Sequence, residues 1–158
     1  MTQDAIQVQH ITKCFGTRTV LDKIALQVHE GETLVILGGS GSGKSTLLRL
    51  MVGILPFDGG DILALDKSLK SMSPAELMSY RRSVGVLFQS GALFNSMNVA
   101  ENIALPLREH TDLPEQTIDI VVKMKLEQVG LREHADKMPA ELSGGMKKRA
   151  GLARAMAL

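Results

Sequence analysis

Cysteine occurs once in the 158 residues, at Cys14, so no disulfide can close within the chain. A reducing compartment is the simpler expectation. Long apolar runs are missing as well: none approaches the ~18 residues of a membrane span, and the amino terminus lacks a secretory-leader pattern. The chain is therefore expected to be cytoplasmic and to reach a membrane only through a partner. Charge of one sign is scarce, 18 Lys and Arg against 17 Asp and Glu. That balance gives no bulk attraction to nucleic acid or acidic lipid, and no nucleic-acid partner is expected. His10, His29, His110 and His134 show no metal-ligand spacing and read as surface residues. No internal repeat or low-complexity segment is present. What remains, 44% hydrophobic and 22% charged residues, is the composition of a soluble globular protein with room for a core.

The chain is organised around Gly38-Gly39-Ser40-Gly41-Ser42-Gly43-Lys44-Ser45-Thr46. Gly38, Gly43, Lys44 and Ser45 occupy the fixed positions of G-x-x-x-x-G-K-[ST]. The apolar run Thr33–Leu37 predicts a strand before the loop, and Leu47, Leu48, Leu50, Met51 and Ile54 predict a helix after it. Glycines let backbone N–H groups turn inward around phosphate oxygens, and the helix start adds its positive dipole end. In that frame Lys44 reaches the β- and γ-phosphates of a nucleotide and the Ser45 hydroxyl ligates Mg²⁺. A glycine-rich linker is the bland alternative, and the strand and helix flanks argue against it.

Earlier in the chain, the alternation of Ile6, Val8 and Ile11 predicts a half-exposed strand over residues 5–11, with a break at Gly16-Thr17. Thr19-Val20-Leu21 and then Ile24, Leu26 and Val28 predict further antiparallel strands. Phe15 falls in the turn between them; an aromatic there could stack on a nucleobase, although spacing alone favours a core or turn role. After the first helix, Pro56–Asp61 is a turn, Ile62–Leu65 a short strand, and Ser73-Pro74-Ala75-Glu76 a capping box opening a helix to about Arg82. Ser83–Phe88 predicts a buried strand ending at Gln89, at the carboxyl end where open α/β sheets place ligand contacts. A purely local hydrogen bond for Gln89 is an equal alternative.

From Ser90 the pattern turns helical. Asn98 with Glu101 starts one helix, which Pro106 is expected to interrupt or end. Pro114 opens a longer one, with Ile118, Val121, Val122, Leu126 and Val129 on one face and Gly130 as its stop. Ala92, Leu93, Phe94 and Met97 make an apolar loop that either packs on its own subdomain or docks a partner. A last helix follows Leu142-Ser143-Gly144-Gly145-Met146, with Met146, Ala150, Ala153 and Ala157 as a stripe. Ser143 is its N-cap, and Gly144-Gly145 leave the first N–H groups open to a second phosphate contact. Alone, such a start is usually only a cap.

The P-loop, then Gln89, then Leu142–Met146, in that order and spacing, resembles the nucleotide-binding subunit of an ATP-binding-cassette (ABC) transporter, and the match runs the length of the chain. Met146 departs from the family's usual Gln. Leu87–Phe94, Ala104–His110 and Leu142–Arg149 are most similar to the ATPases of Mla (MCE-type) phospholipid transporters. The resemblance implies an α/β P-loop NTPase fold with an N-terminal antiparallel β-subdomain and a helical subdomain. Residues 1–89 would hold the β-subdomain and the P-loop part of the core, 90–141 the helical subdomain, and 142–158 the signature helix. It implies a head-to-tail pair of subunits, each P-loop facing Ser143-Gly144-Gly145 of the other copy across ATP. Phe15 takes the place of the adenine-stacking aromatic, and Gln89 that of the glutamine contacting Mg²⁺ and the attacking water. The segment Gln89–Met97 lies where a membrane permease docks, on the cytoplasmic side of the bacterial inner membrane.

The same resemblance implies three further motifs that do not occur in these residues: an apolar strand ending in Asp, a following Glu, and a later His. With the metal support and water-activating groups absent, residues 1–158 are expected to be inactive, as a truncated or naturally fragmentary cassette. The C-terminal part of the core sheet is expected to be absent, leaving the P-loop strand with unpaired backbone and an exposed apolar face. A non-catalytic nucleotide-binding regulator and a soluble ABC ATPase outside transport remain the alternatives.

Overall fold

Two long strands, β1 (Asp4–Phe15) and β2 (Arg18–His29), pair antiparallel across the Gly16-Thr17 turn. The expected separate strands after Thr19 are one continuous strand. A computed structural model describes residues 4–158 and divides the chain into two units, within Met1–Arg81 and Arg82–Leu158.

In the first unit β3 (Gly59–Ala64) pairs with the other edge of β1, and β4 (Lys67–Ser68) closes the order β2-β1-β3-β4, antiparallel throughout. Val8 and Ile11 are both buried although three positions separate them, which a strict two-residue period forbids. The reason is a bulge: His10 takes a positive φ of 50° and the register of β1 slips against both neighbours there. The inward face packs Val8, Ile11 and Ile62 with Leu47, Leu50 and Met51, which share one face of α1 (Lys44–Met51). Helix α2 (Pro74–Arg82) begins with the expected box: Glu76 Oε2 accepts from the Ser73 N–H at 2.9 Å, and Ser73 Oγ from the Glu76 N–H at 3.3 Å. Tyr80 donates its hydroxyl to the Met51 carbonyl at 2.7 Å, tying α2 to the end of α1.

In the second unit α3 (Val99–His110), α4 (Glu115–Gln128) and α5 (Gly144–Ala155) share one core. Asn98 caps α3 in a full capping box with Glu101. Ile103 and Leu107 meet Ile118, Val122 and Leu126 of α4 and Ala150 and Ala153 of α5. Pro106 does not end α3; the helix runs on to His110. An interior proline costs about 3 kcal/mol. Burial of Leu107 opposes that cost, and its carbonyl accepts from both Thr111 N–H and Thr111 Oγ1, at 3.0 and 2.7 Å. Helix α5 ends at Ala155, with Met156 as its C-cap, slightly before the end of its apolar stripe.

Two expected strands are not formed. Thr33–Leu37 and Ser83–Phe88 have no strand pairing, and Val35 and Leu37 are 69% and 87% exposed. A parallel strand draws its stability from neighbours on both sides and layers on both faces, and neither run has a hydrogen-bonded strand partner. Leu87 and Phe88 are likewise exposed, so the segment ending at Gln89 is not a buried strand.

Candidate phosphate-binding site

The loop Gly38–Thr46 lies between the exposed run 33–37 and α1. Gly43 is the N-cap of α1 at φ 92°, a left-handed conformation that L side chains rarely adopt. A β-carbon there would also lie 2.8 Å from Leu21 Cδ2 and 3.2 Å from the Val20 carbonyl oxygen. Glycine at this position therefore seats the loop directly on β2. No side chain caps α1, so its leading N–H groups face outward at the positive end of the helix. The Leu47 N–H closes the first helical bond to the Gly43 carbonyl at 2.8 Å.

Lys44 folds back over the loop. Its ammonium donates to the carbonyls of Gly38 and Gly39 at 2.6 and 2.7 Å and to Ser42 Oγ at 3.2 Å. A β-carbon on Gly38 would lie 2.7 Å from Ser42 Oγ, so a side chain there would make the Ser42 hydroxyl turn away. Val20 and the run Gly41–Thr46 line a pocket of ≈ 170 Å³. That is smaller than the roughly 300 Å³ at which ligand pockets begin, the scale of a small anion rather than of a whole nucleotide. Val20 went unnoticed in the sequence because a strand valine reads as core; only the contact with Gly43 brings it to the loop. Broader hollows of ≈ 520 Å³ over Gln7–His10 and Ala25–Gln27, and ≈ 470 Å³ beside Ile120 and Met124, gather no comparable set of anion-binding groups.

Phe15 is the last residue of β1, paired with Arg18 and 49% exposed, so it is not a core aromatic. The Lys13 ammonium lies over its ring, 5.4 Å from the centroid. Phe15 and the loop belong to the first unit; Gln89 and Ser143-Gly144-Gly145 belong to the second.

In the second unit Gln89 is exposed in a turn, with the Gly91 N–H donating to the Phe88 carbonyl at 2.8 Å. Ser143 caps α5, its Oγ accepting from the Met146 N–H at 3.3 Å. Gly144 and Gly145 are exposed, with no atom within 4 Å of where a β-carbon would stand. Ser143 thus takes up the Met146 N–H, while the start of the helix at Gly144 and Gly145 stays uncrowded. The loop after Gln89 rests on the same helix. Arg154 donates to the Gly91 carbonyl at 3.1 Å and lies 5.7 Å from the Phe94 ring centroid, and burial lowers its pKa. No cluster of His, Cys, Asp or Glu suited to a metal exists among the described residues. The oxygen donor offered at the P-loop is instead the Ser45 hydroxyl, exposed in the first turn of α1.

Comparison with known proteins places this geometry. The chain is 49% identical over all 158 residues to the intermembrane phospholipid transport system ATP-binding protein MlaF of Haemophilus influenzae, and spans 60% of its length. It is 47% identical over 154 residues to the probable ribonucleotide transport ATP-binding protein mkl of Mycobacterium leprae, spanning 44% of that protein. Among solved structures it is similar to the ATP-binding cassette MJ0796, a dimer in a post-hydrolysis state bound to ADP and Pi. The TM-score is 0.86 at 28% identity, covering 96% of this chain and 69% of that one. Residues 21–158 match the ABC transporter family, and the chain belongs to it.

Proposed function

We propose that this chain is the nucleotide-binding part of an ATPase subunit that energises an ABC transporter for phospholipid. The observation that carries the reading is the loop Gly38–Thr46. There the Lys44 ammonium rests on its own loop carbonyls beside the uncapped start of α1. In this reading the triphosphate of ATP takes over those contacts, Lys44 bonds the β- and γ-phosphates, and the α1 N–H groups complete the cradle. The Ser45 hydroxyl would hold Mg²⁺ together with Gln89, and the ion supplies neutralisation of phosphate charge. Gln89 also orients the attacking water. Phe15 stacks on the adenine.

The second half of the site is Ser143-Gly144-Gly145 of another copy, whose open helix start approaches the γ-phosphate across a head-to-tail dimer. A permease docks on Gln89–Met97 and holds the subunit at the cytoplasmic face of the bacterial inner membrane. The phospholipid cargo is supported by the MlaF-named relative and by the Leu87–Phe94 and Leu142–Arg149 stretches. No apolar run ending in Asp-Glu occurs in the 158 residues, so these residues bind ATP and assemble around it without turnover.

Titration calorimetry with ATP tests the binding reading. Saturable binding is expected, and Lys44→Ala is expected to weaken it roughly tenfold or more, the scale of a charge-assisted hydrogen bond. ATP affinity unchanged by Lys44→Ala would reject the P-loop assignment. Robust, Lys44-dependent hydrolysis by the 158-residue protein would reject the claim of binding without turnover. Co-purification with a polytopic membrane protein through Gln89–Met97 tests the transporter assignment.

A further inference from the structure

Lys13 and Asn102 are the buried polar side chains among the described residues, and Lys13 is 7% exposed. Burying an ammonium is costly unless it is paired and its position is held. Here the holder is Asp58, in the turn before β3. Its Oδ1 lies 3.1 Å from the Lys13 Nζ, and its Oδ2 accepts the Cys14 N–H at 2.6 Å. Its own N–H donates to the Thr12 carbonyl at 3.0 Å. Asp58 is thus bound to three successive residues of β1, and its carboxyl is held below the usual range by the Cys14 N–H and the Lys13 ammonium.

The arrangement ends at Phe15. The Lys13 ammonium sits over the ring, 5.4 Å from its centroid, while half the side chain stays open to solvent. A cation is attracted to the ring quadrupole, so Lys13 both restrains the ring and draws its electron density toward the covered face. The open face then suits an electron-rich heteroaromatic.

We propose that Lys13, fixed by Asp58, is a positioning residue that holds Phe15 as a stacking platform for the purine base of a nucleotide. The proposal rests on the reading of Phe15 as the base-stacking residue. It adds a part that carries the base term of affinity and leaves the phosphate term alone.

The test compares equilibrium affinities for ATP and for inorganic tripolyphosphate, which has the phosphates without the base. Lys13→Met keeps the buried stem and removes the charge. It is expected to weaken ATP about threefold to tenfold, the scale of one cation–π contact, with tripolyphosphate unchanged. Lys13→Arg restores the cation and is expected to recover ATP affinity. Asp58→Asn, which keeps an acceptor for the Cys14 N–H, weakens ATP in the same direction. It carries the comparison if Lys13→Met does not fold. Phe15→Ala separates the two layers. If it leaves ATP affinity unchanged, the stacking reading fails and the proposal with it. If it weakens ATP while Lys13→Met and Asp58→Asn match the wild type, stacking stands and the role of Lys13 is overturned. Equal losses of ATP and tripolyphosphate in both Lys13→Met and Asp58→Asn would reduce the pair to a structural prop and overturn the proposal too.

Discussion

Gly91 and Gly151 meet backbone against backbone: a β-carbon on Gly151 would lie 2.8 Å from the Gly91 carbonyl oxygen and 2.9 Å from its Cα. The loop after Gln89 therefore lies directly on the middle of α5. The same helix starts with two glycines where an added β-carbon would meet open space. Two Gly→Ala changes in one helix should consequently have opposite signs. Gly145→Ala gains up to about 1 kcal/mol of helix propensity. Gly151→Ala makes the same gain but must push the loop backbone aside, at about 1–3 kcal/mol, and is expected to be destabilising. Urea midpoints of the two variants decide it; a stabilised Gly151→Ala protein would show that the loop gives way freely.

Asn102 is fully buried and holds that loop from below. Its amide donates to the carbonyls of Phe94, Met97 and Asn98 at 3.1, 3.0 and 2.9 Å, and its oxygen accepts the Phe94 N–H at 2.8 Å. Asn102→Ala strands several buried groups and is expected to cost about 3 kcal/mol, since each lost partner leaves a desolvation penalty. Asn102→Asp replaces the donor by a carboxylate facing three carbonyls, which the Arg154 guanidinium 3.5 Å from Oδ1 offsets only in part, and should be worse at neutral pH. Mild acid should then recover part of the loss. Chemical denaturation of both variants at two pH values checks this, and an Asp variant as stable as wild type would contradict it.

Part of the acid sensitivity should lie at Asp58. Its folded-state pKa is lowered by the Cys14 N–H and Lys13, so the folded protein binds fewer protons there than the unfolded chain does. The stability this linkage gives is present above about pH 4 and is lost as the pH falls through that range toward the lowered folded value. Asp58→Asn should be less stable at neutral pH and show a shallower acid limb. Thermal midpoints measured from about pH 2 to pH 7 test it; parallel curves for the two proteins would assign the acid loss elsewhere, with Glu76 and Glu115, also lowered, the next groups to test.

The run Leu34–Leu37 presents apolar side chains and unpaired backbone to solvent. Such a segment pairs with other copies unless covered. The 158-residue protein is expected to self-associate with rising concentration, and Val35→Thr with Leu37→Thr to reduce that while keeping strand propensity. Sedimentation velocity across a concentration series measures it. A monodisperse wild-type protein would show that these residues are covered in solution.

Features carried by local chemistry were legible from the residues alone. The capping boxes at Ser73/Glu76 and Asn98/Glu101, the Ser143 cap and the glycine loop leading into α1 each need only a few neighbouring residues and formed as expected. The larger misreadings involve partners far along the chain. Thr33–Leu37 and Ser83–Phe88 have strand composition, yet pairing is a property of neighbours, and neither run is paired. Pro106 reads as a breaker, but α3 runs on past it to His110, with Leu107 buried in the core of the second unit. Lys13 reads as one more charge on a strand until Asp58, 45 residues on, draws it inward beneath Phe15. Sequence by itself thus determined the glycine loop, the helix starts and the family, because glycine geometry and capping are local. Tertiary structure alone decided which strands pair, which polar groups are buried and what lies beneath Phe15, because those depend on contacts between residues distant in the chain.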